Sequence, residues 1–170
     1  MKKLLLSLIL LLACQISFGK SLNDITDQYK TVENAQFMMV PQSMVKMLVG
    51  QMLNQKEIAD KVKNNNASAE DINKVVEKID SVLYLSLDNC TGSVKSSFNE
   101  KVKDLSAYGY KKMEEKPGLG AVYCKEQNGI AKEVIVLITK GGDCDFVQFY
   151  GKLKPQEITE IISRISNLKI

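Results

Sequence analysis

The order of hydrophobic and polar positions divides the chain after residue 20 into helical and extended segments. Residues 20–33 are polar with sparse apolar positions, which predicts a short helix or turn. Residues 35–40 are mostly apolar and end at Pro41, and a residue before proline favours extended geometry, so we expect a strand there. Pro41 then begins a helix that continues over residues 42–53 and is apolar around much of its circumference.

Two further helices are predicted, one on each side of a second strand. Ser68, with Asp71 three residues later, is typical of a helix N-terminus, and apolar residues follow at helical spacing as far as Ile79. In residues 81–87, leucines at 83, 85 and 87 alternate with Val82, Tyr84 and Ser86, and this period of two predicts a strand. Apolar positions then recur every three or four residues over 94–105, which indicates another amphipathic helix.

The chain from Tyr108 onward is predicted to form a meander of four strands followed by a helix. Turn signals at Pro117-Gly118, Asn128-Gly129 and Gly141-Gly142 separate the strands, and the last two signals are typical of two-residue hairpins. The third strand, residues 132–139, is apolar on both faces and is therefore expected to be central. After Pro155, isoleucines recur at helical spacing, at positions 158, 161, 162 and 165.

These elements together predict an α+β fold. We expect a mostly antiparallel sheet of about five to six strands with amphipathic helices packed on one face. Residues 20–170 are long enough for a single domain with one hydrophobic core. The uncovered face of the sheet is where we expect a partner to bind.

The first nineteen residues have the pattern of a bacterial export signal. Two lysines precede an apolar run over residues 4–13, which is shorter than the roughly 20 residues of a membrane span. The small residues Ser17 and Gly19 predict cleavage between Gly19 and Lys20. This cleavage would release residues 20–170 into the periplasm or cell envelope.

A second route of processing gives a different protein. Residues 11–14 also match a lipobox, in which residues 1–13 are removed and Cys14 is lipidated. The protein would then be anchored to the outer membrane, and its only membrane contact would be the lipid on Cys14.

Composition excludes several classes of function. The chain has no histidine, which removes Ser-His-Asp and Cys-His catalysis and the usual zinc enzymes. The net charge of +3 includes Lys2 and Lys3, so residues 20–170 are close to neutral and do not suit nucleic acid. We therefore predict no enzymatic activity, no cofactor and no metal site.

Three cysteines, Cys90, Cys124 and Cys144, remain after the leader. If both later hairpins are tight, Cys124 and Cys144 lie about four residues apart along the sheet, roughly 13 Å, which is too far for a disulfide. Any disulfide would then include Cys90, and we expect all three thiols to be buried and reduced.

Two groups of residues in the predicted strand over residues 35–40 and the helix that follows it carry alternative interpretations. Ser43 and Lys46 match the Ser-x-x-Lys pattern of serine β-lactamases and penicillin-binding proteins, but no Ser-Asp-Asn or Lys-Thr-Gly accompanies them, so we favour a solvated helix start. Five of the seven methionines lie between Met38 and Met52. They could form a Cu(I) site or an adaptable binding surface, but we favour core filling.

The sequence after residue 25 resembles the domain-of-unknown-function family 4252, small exported proteins of Gram-negative bacteria. The likeness rests on residues 37–48, on Ile79-Asp80-Ser81-Val82, and on the Tyr110 strand followed by hairpins and the Ile158 helix. The resemblance implies an α+β fold and an envelope location, and it brings no assigned activity or site residues. It also points loosely to extracytoplasmic sigma-factor systems.

From these observations we expect a non-catalytic exported envelope protein that binds another envelope protein or a small ligand. One alternative is a small envelope hydrolase that uses Ser43 with Lys46, or a free cysteine. Another is an accessory protein of an envelope-stress or sigma-factor system.

Overall fold

The structure is a computed structural model. It describes residues 21–54, 68–116, 120–139, 142–154 and 157–158. The leader lies outside these ranges, and with it the predicted cleavage site at Gly19 and Lys20 and the lipidation site at Cys14.

Four α-helices and six strands form the described fold. The helices are α1 (Leu22–Tyr29), α2 (Gln42–Leu53), α3 (Ala69–Val76) and α4 (Gly92–Val102). The strands are β1 (Gln36–Pro41), β2 (Ile79–Ser86), β3 (Lys111–Lys116), β4 (Gly120–Gln127), β5 (Ile130–Ile138) and β6 (Asp145–Leu153). They form one antiparallel sheet in the order β1-β2-β6-β5-β4-β3, which confirms the α+β class and the C-terminal meander.

Local chemistry sets several of these boundaries. The Ser68 hydroxyl accepts a hydrogen bond from the backbone N–H of Asp71 at 3.0 Å and caps α3. Asn128 and Gly129 have φ values of 55° and 76°, and Gln127 pairs with Ile130. These two positive φ values are what a two-residue type I′ hairpin requires, so this predicted turn is confirmed.

The register of β5 with β6 is the one that a two-residue turn at Gly141-Gly142 gives. Ile138 pairs with Asp145 and Leu137 with Phe146, and both pairs are centred between Gly141 and Gly142. Gly141 lies outside the described residues, so the turn itself stays a prediction. Just before β6, the Cys144 N–H donates to Asp88 Oδ1 at 2.5 Å and the Cys144 carbonyl accepts from the N–H of Leu87 at 2.9 Å.

The helices are divided between the two faces of the sheet, whereas the sequence pattern predicted them on one. In β2, Leu83 points into a core that contains Tyr29 of α1 and Phe98 of α4, on what we call the first face. Its neighbour Val82 points to the opposite, second face, where it packs with Val45 of α2 and with α3. The internal strands supply apolar side chains on both sides, so each face needs a helical cover.

Aromatic side chains occupy the centre of the first-face core. Phe98 is fully buried, and its ring meets Tyr29 and Phe146 edge-on, with centroid distances of 5.1 and 6.1 Å. These contacts fix α1 and α4 against β6.

The predicted C-terminal helix is described only at Glu157 and Ile158. Ile158 is buried in the second-face core beside β4 and β5, and Lys78 forms an ion pair with Glu157. The other isoleucines of the predicted stripe lie outside the described residues.

Candidate functional site

Six large hydrophobic side chains are exposed on β1 and α2. Their exposed fractions run from 37% for Phe37 to 52% for Met47, although residues of these types are usually buried. We call them the β1–α2 surface, and its members are Phe37, Met38, Met39, Met44, Met47 and Leu48. A contiguous exposed apolar patch on a folded domain commonly marks a binding site.

Strand β1 presents these side chains from the edge of the sheet. It pairs with β2 alone, so in the described part of the chain the outer backbone groups of β1 have no strand partner. Phe37 and Met39 lie opposite leucines of β2 that point to the first face, whereas Met38 lies opposite Tyr84 on the second face. The apolar surface therefore extends on both sides of the edge.

Helix α2 contributes a second exposed stripe beside its buried side. Val45 packs into the second-face core with α3 and β1. At about 100° per residue, Met44, Met47 and Leu48 lie on one side of the helix, roughly 110° around from buried Val45. Lys46, the single charged residue of α2, lies roughly opposite this stripe. The exposed stripe is thus entirely free of charge.

The two edges of the sheet differ sharply in chemistry. Five of the six residues of β3 are charged, its pairing with β4 contains a register shift, and Lys112 forms an ion pair with Glu115. Charges and bulges of this kind prevent edge strands from pairing with other chains. Strand β1, Gln-Phe-Met-Met-Val-Pro, has no charge and only a terminal proline. The β3 edge is protected against pairing, whereas the β1 edge has no such protection among the described residues.

The methionines do not fill the core, so that prediction is wrong. Met38, Met39, Met44 and Met47 each expose 43–52% of their surface. They fit the adaptable binding surface that the sequence offered as an alternative, because unbranched thioether side chains adjust to varied partners. The side chain of Met52 lies outside the described residues.

Ser43 and Lys46 are brought to the start of α2 but form no catalytic arrangement there. Both side chains are exposed. In the described part of the chain neither side chain makes a hydrogen bond, and a nucleophilic serine needs a base within hydrogen-bond reach.

All three described cysteines are buried and unbridged. Cys124 pairs with Val134 in the middle of β5 and points to the second face, whereas Cys144 belongs to the first-face core and precedes Asp145, the partner of the last residue of β5. The prediction that these two cannot form a disulfide is therefore supported by their faces as well as their separation. Burial and nearby Asp88 raise the pKa of the Cys144 thiol to about 11, which makes it a poor nucleophile near neutral pH.

A buried polar cluster on the first face was missed by the sequence analysis. Tyr110 donates from its hydroxyl to the Glu133 carboxylate, and Gln148 donates from Nε2 to the Tyr110 hydroxyl at 3.1 Å and to Glu133 at 2.6 Å. Burial, followed by the hydrogen bond to Glu133, raises the pKa of Tyr110 well above its usual range. The cluster joins three separate segments, so only the folded chain brings it together.

The described residues contain a small open cleft of about 290 Å³ between α4 and the β3 side of the sheet. Its polar lining includes Asn99, Lys103 and Lys112, which lie beside the apolar side chains of Leu137 and Ala121. No group of three or more cysteine or carboxylate side chains in the described ranges is placed to hold a metal ion. Among the same residues no helix is long and apolar enough to cross a membrane.

Comparison with known proteins gives one match. The profile of the family described as a domain of unknown function, DUF4252, matches residues 29–161. Neither the curated proteins nor the solved structures that were compared give a match. The matched range contains the whole β1–α2 surface.

Proposed function

Because this chain belongs to the DUF4252 family, whose description assigns no activity, we propose a function from its exposed surface. The protein is a non-catalytic envelope protein that binds another protein through the β1–α2 surface. The observation that carries this proposal is the uncharged edge of β1, which no other described strand pairs with, next to the exposed apolar stripe of α2.

The shape of this surface favours a protein over a small ligand. Small-molecule sites are concave and enclose most of their ligand. An open strand edge instead offers a row of backbone donors and acceptors to a partner strand, while the side chains beside it supply apolar contact. The four exposed methionines allow the surface to adjust to the partner.

The proposed location is the cell envelope. The leader over residues 1–19 supports export, with cleavage before Lys20 or lipidation of Cys14 as its two outcomes. Labelling of cells with a palmitate analogue separates them: label that is lost in Cys14→Ala indicates a lipoprotein, and absence of label indicates release.

Photo-crosslinking in intact cells tests the binding function. A photoreactive phenylalanine analogue is placed at Met47 in the exposed stripe of α2 and, as a matched control, at exposed Gln127 in β4. We expect a discrete crosslinked protein species from position 47 and none from position 127. Equal crosslinking at the two positions, or none at either, would contradict the proposed function.

A further inference from the structure

We propose that the partner of the β1–α2 surface is a second copy of this chain, whose β1 strand pairs antiparallel with the first across a two-fold axis at Met38. This inference rests on the proposed function, since it names the partner of the same surface. The pairing would join two six-stranded sheets into one continuous sheet.

The side chains of β1 are complementary to themselves in this arrangement. A two-fold axis perpendicular to the sheet keeps each side chain on its own face, so residues that face each other across the axis must share a face. With the axis at Met38, that residue meets its own copy on the second face, and Phe37 meets Met39 of the second copy on the first face. Each of these contacts joins exposed apolar side chains without charge.

Helix α2 is placed to extend the same interface. It contacts both β1 and β2 on the second face. If it lies over this strand pair, the two copies of α2 are two strand spacings apart, about 10 Å, which is close to the usual distance between packed helices. Met44, Met47 and Leu48 are exposed, so this stripe is available to a copy of the helix, and Lys46 lies roughly opposite to it.

Charge favours a closed pair over other uses of the edge. Pairing of β1 with β3 of another copy would be heterologous and would build an open chain of molecules. The five charged residues of β3 oppose this, because most of them would face an apolar side chain of β1. Lys30, which lies 5.6 Å from the Phe37 ring, is already paired with Asp27 at 2.6 Å. The β1 edge of a second copy has the same length and no charge, so it can pair with this edge without placing a charge against an apolar side chain.

Solution mass tests the proposal. The full chain carries Cys14→Ala, so that lipid does not associate copies, and is purified from expressing cells for light scattering after size exclusion. We expect twice the chain mass. Met38→Lys places two ammonium groups directly opposite each other and should give the single-chain mass, whereas Gln127→Lys adds the same charge to an exposed site and should leave the dimer intact.

Disulfide trapping tests the position of the axis and does not depend on the folding of the lysine variant. In an antiparallel pair, facing Cβ atoms lie about 4.5–5.5 Å apart and diagonal ones about 7–8 Å. Diamide removes two electrons and two protons from two thiols to form a disulfide. Met38→Cys should therefore form a covalent dimer readily, and Met39→Cys, whose own copy lies diagonally across, should form it much more slowly.

The outcomes separate this inference from the proposed function. A single-chain mass at every concentration, together with no disulfide dimer from Met38→Cys, overturns the second copy as partner. If position 47 still crosslinks to a different protein in cells, the binding function stands and its partner is another protein. A dimer that persists in Met38→Lys and forms no disulfide through Met38→Cys would also overturn this pairing.

Discussion

Gln148 donates a hydrogen bond of 2.6 Å from Nε2 to Oε2 of Glu133 in the first-face core. The same amide also presents its Oε1 to a buried position, where it has no hydrogen-bond partner among the described residues. The side chain is therefore satisfied at one end only.

This asymmetry predicts unequal effects for two substitutions in the cluster. Glu133→Ala leaves the buried donors of Gln148 and Tyr110 without their carboxylate and should lower the free energy of unfolding by about 2 kcal/mol. Gln148→Leu also removes the unpartnered Oε1 and should cost less than about 1 kcal/mol. Urea denaturation measures both, with exposed Glu126→Ala as control. A larger loss of unfolding free energy for Gln148→Leu than for Glu133→Ala would contradict the conclusion that the Gln148 Oε1 has no hydrogen-bond partner.

The buried hydroxyl of Tyr110 should make the stability of the protein depend on pH in the alkaline range. Its pKa is raised by burial and by the bond to Glu133, so the unfolded chain loses this proton first as the pH rises above about 10. Stability should be unaffected by this group below that pH and fall above it, by up to about 1.4 kcal/mol per pH unit.

Tyr110→Phe should make that decline shallower without removing it, because the pKa values of Tyr84 and Tyr150 are raised in the same direction. Free energies of unfolding measured between neutral and alkaline pH check this, with Tyr108→Phe as control. Identical slopes for the wild type and Tyr110→Phe would show that Tyr110 titrates alike in both states.

Gly120 lies at a close approach between strands. Its φ is +91°, and an added Cβ would lie 1.7 Å from the carbonyl oxygen of Leu137. Gly120→Ala should therefore cost about 3 kcal/mol or more. Gly142 has φ of +98° with open space around it, so Gly142→Ala isolates the backbone cost of about 1–2 kcal/mol. Thermal unfolding should show a larger loss of stability for Gly120→Ala than for Gly142→Ala. Equal losses would contradict a steric clash between the added Cβ at position 120 and Leu137.

Substitution of Phe98 in the core and of Phe37 in the β1–α2 surface should have very different effects on stability. Phe98→Ala removes a fully buried ring and should cost about 3–5 kcal/mol. Phe37→Ala removes a ring that is more than one-third exposed at the sheet edge and should cost less than about 1 kcal/mol. Both are measured by urea denaturation in a Met38→Lys background, so that pairing of copies does not contribute. Comparable losses would mean that Phe37 belongs to the core.

Much of the fold follows from local sequence chemistry. The bounds of α2 at residues 42–53 and the Asn128-Gly129 turn agree with prediction because a preceding proline and two positive φ values act within a few residues. The hydrogen bond between Cys144 and Asp88 was not predictable in this way, because it joins residues 56 positions apart in the chain.

The candidate site depends on tertiary packing and was less predictable. Helix α2 is apolar around much of its circumference, and such a pattern is the same whether the helix is enclosed or has one side free. The division of helices between two faces could have been anticipated from β2, where Val82 and Tyr84 alternate with leucines and leave neither side polar. The cluster around Gln148 combines three segments and has no local signature.

Methionine oxidation in intact cells tests most directly whether the β1–α2 surface is covered by a partner. Hydrogen peroxide transfers an oxygen atom to an accessible thioether and leaves water, and mass spectrometry locates the sulfoxide. Met38, Met39, Met44 and Met47 should oxidise readily in the diluted, isolated chain and slowly in cells, while half-buried Met113 should react at the same rate in both. Equal oxidation of the four methionines in cells and in isolation would contradict the account.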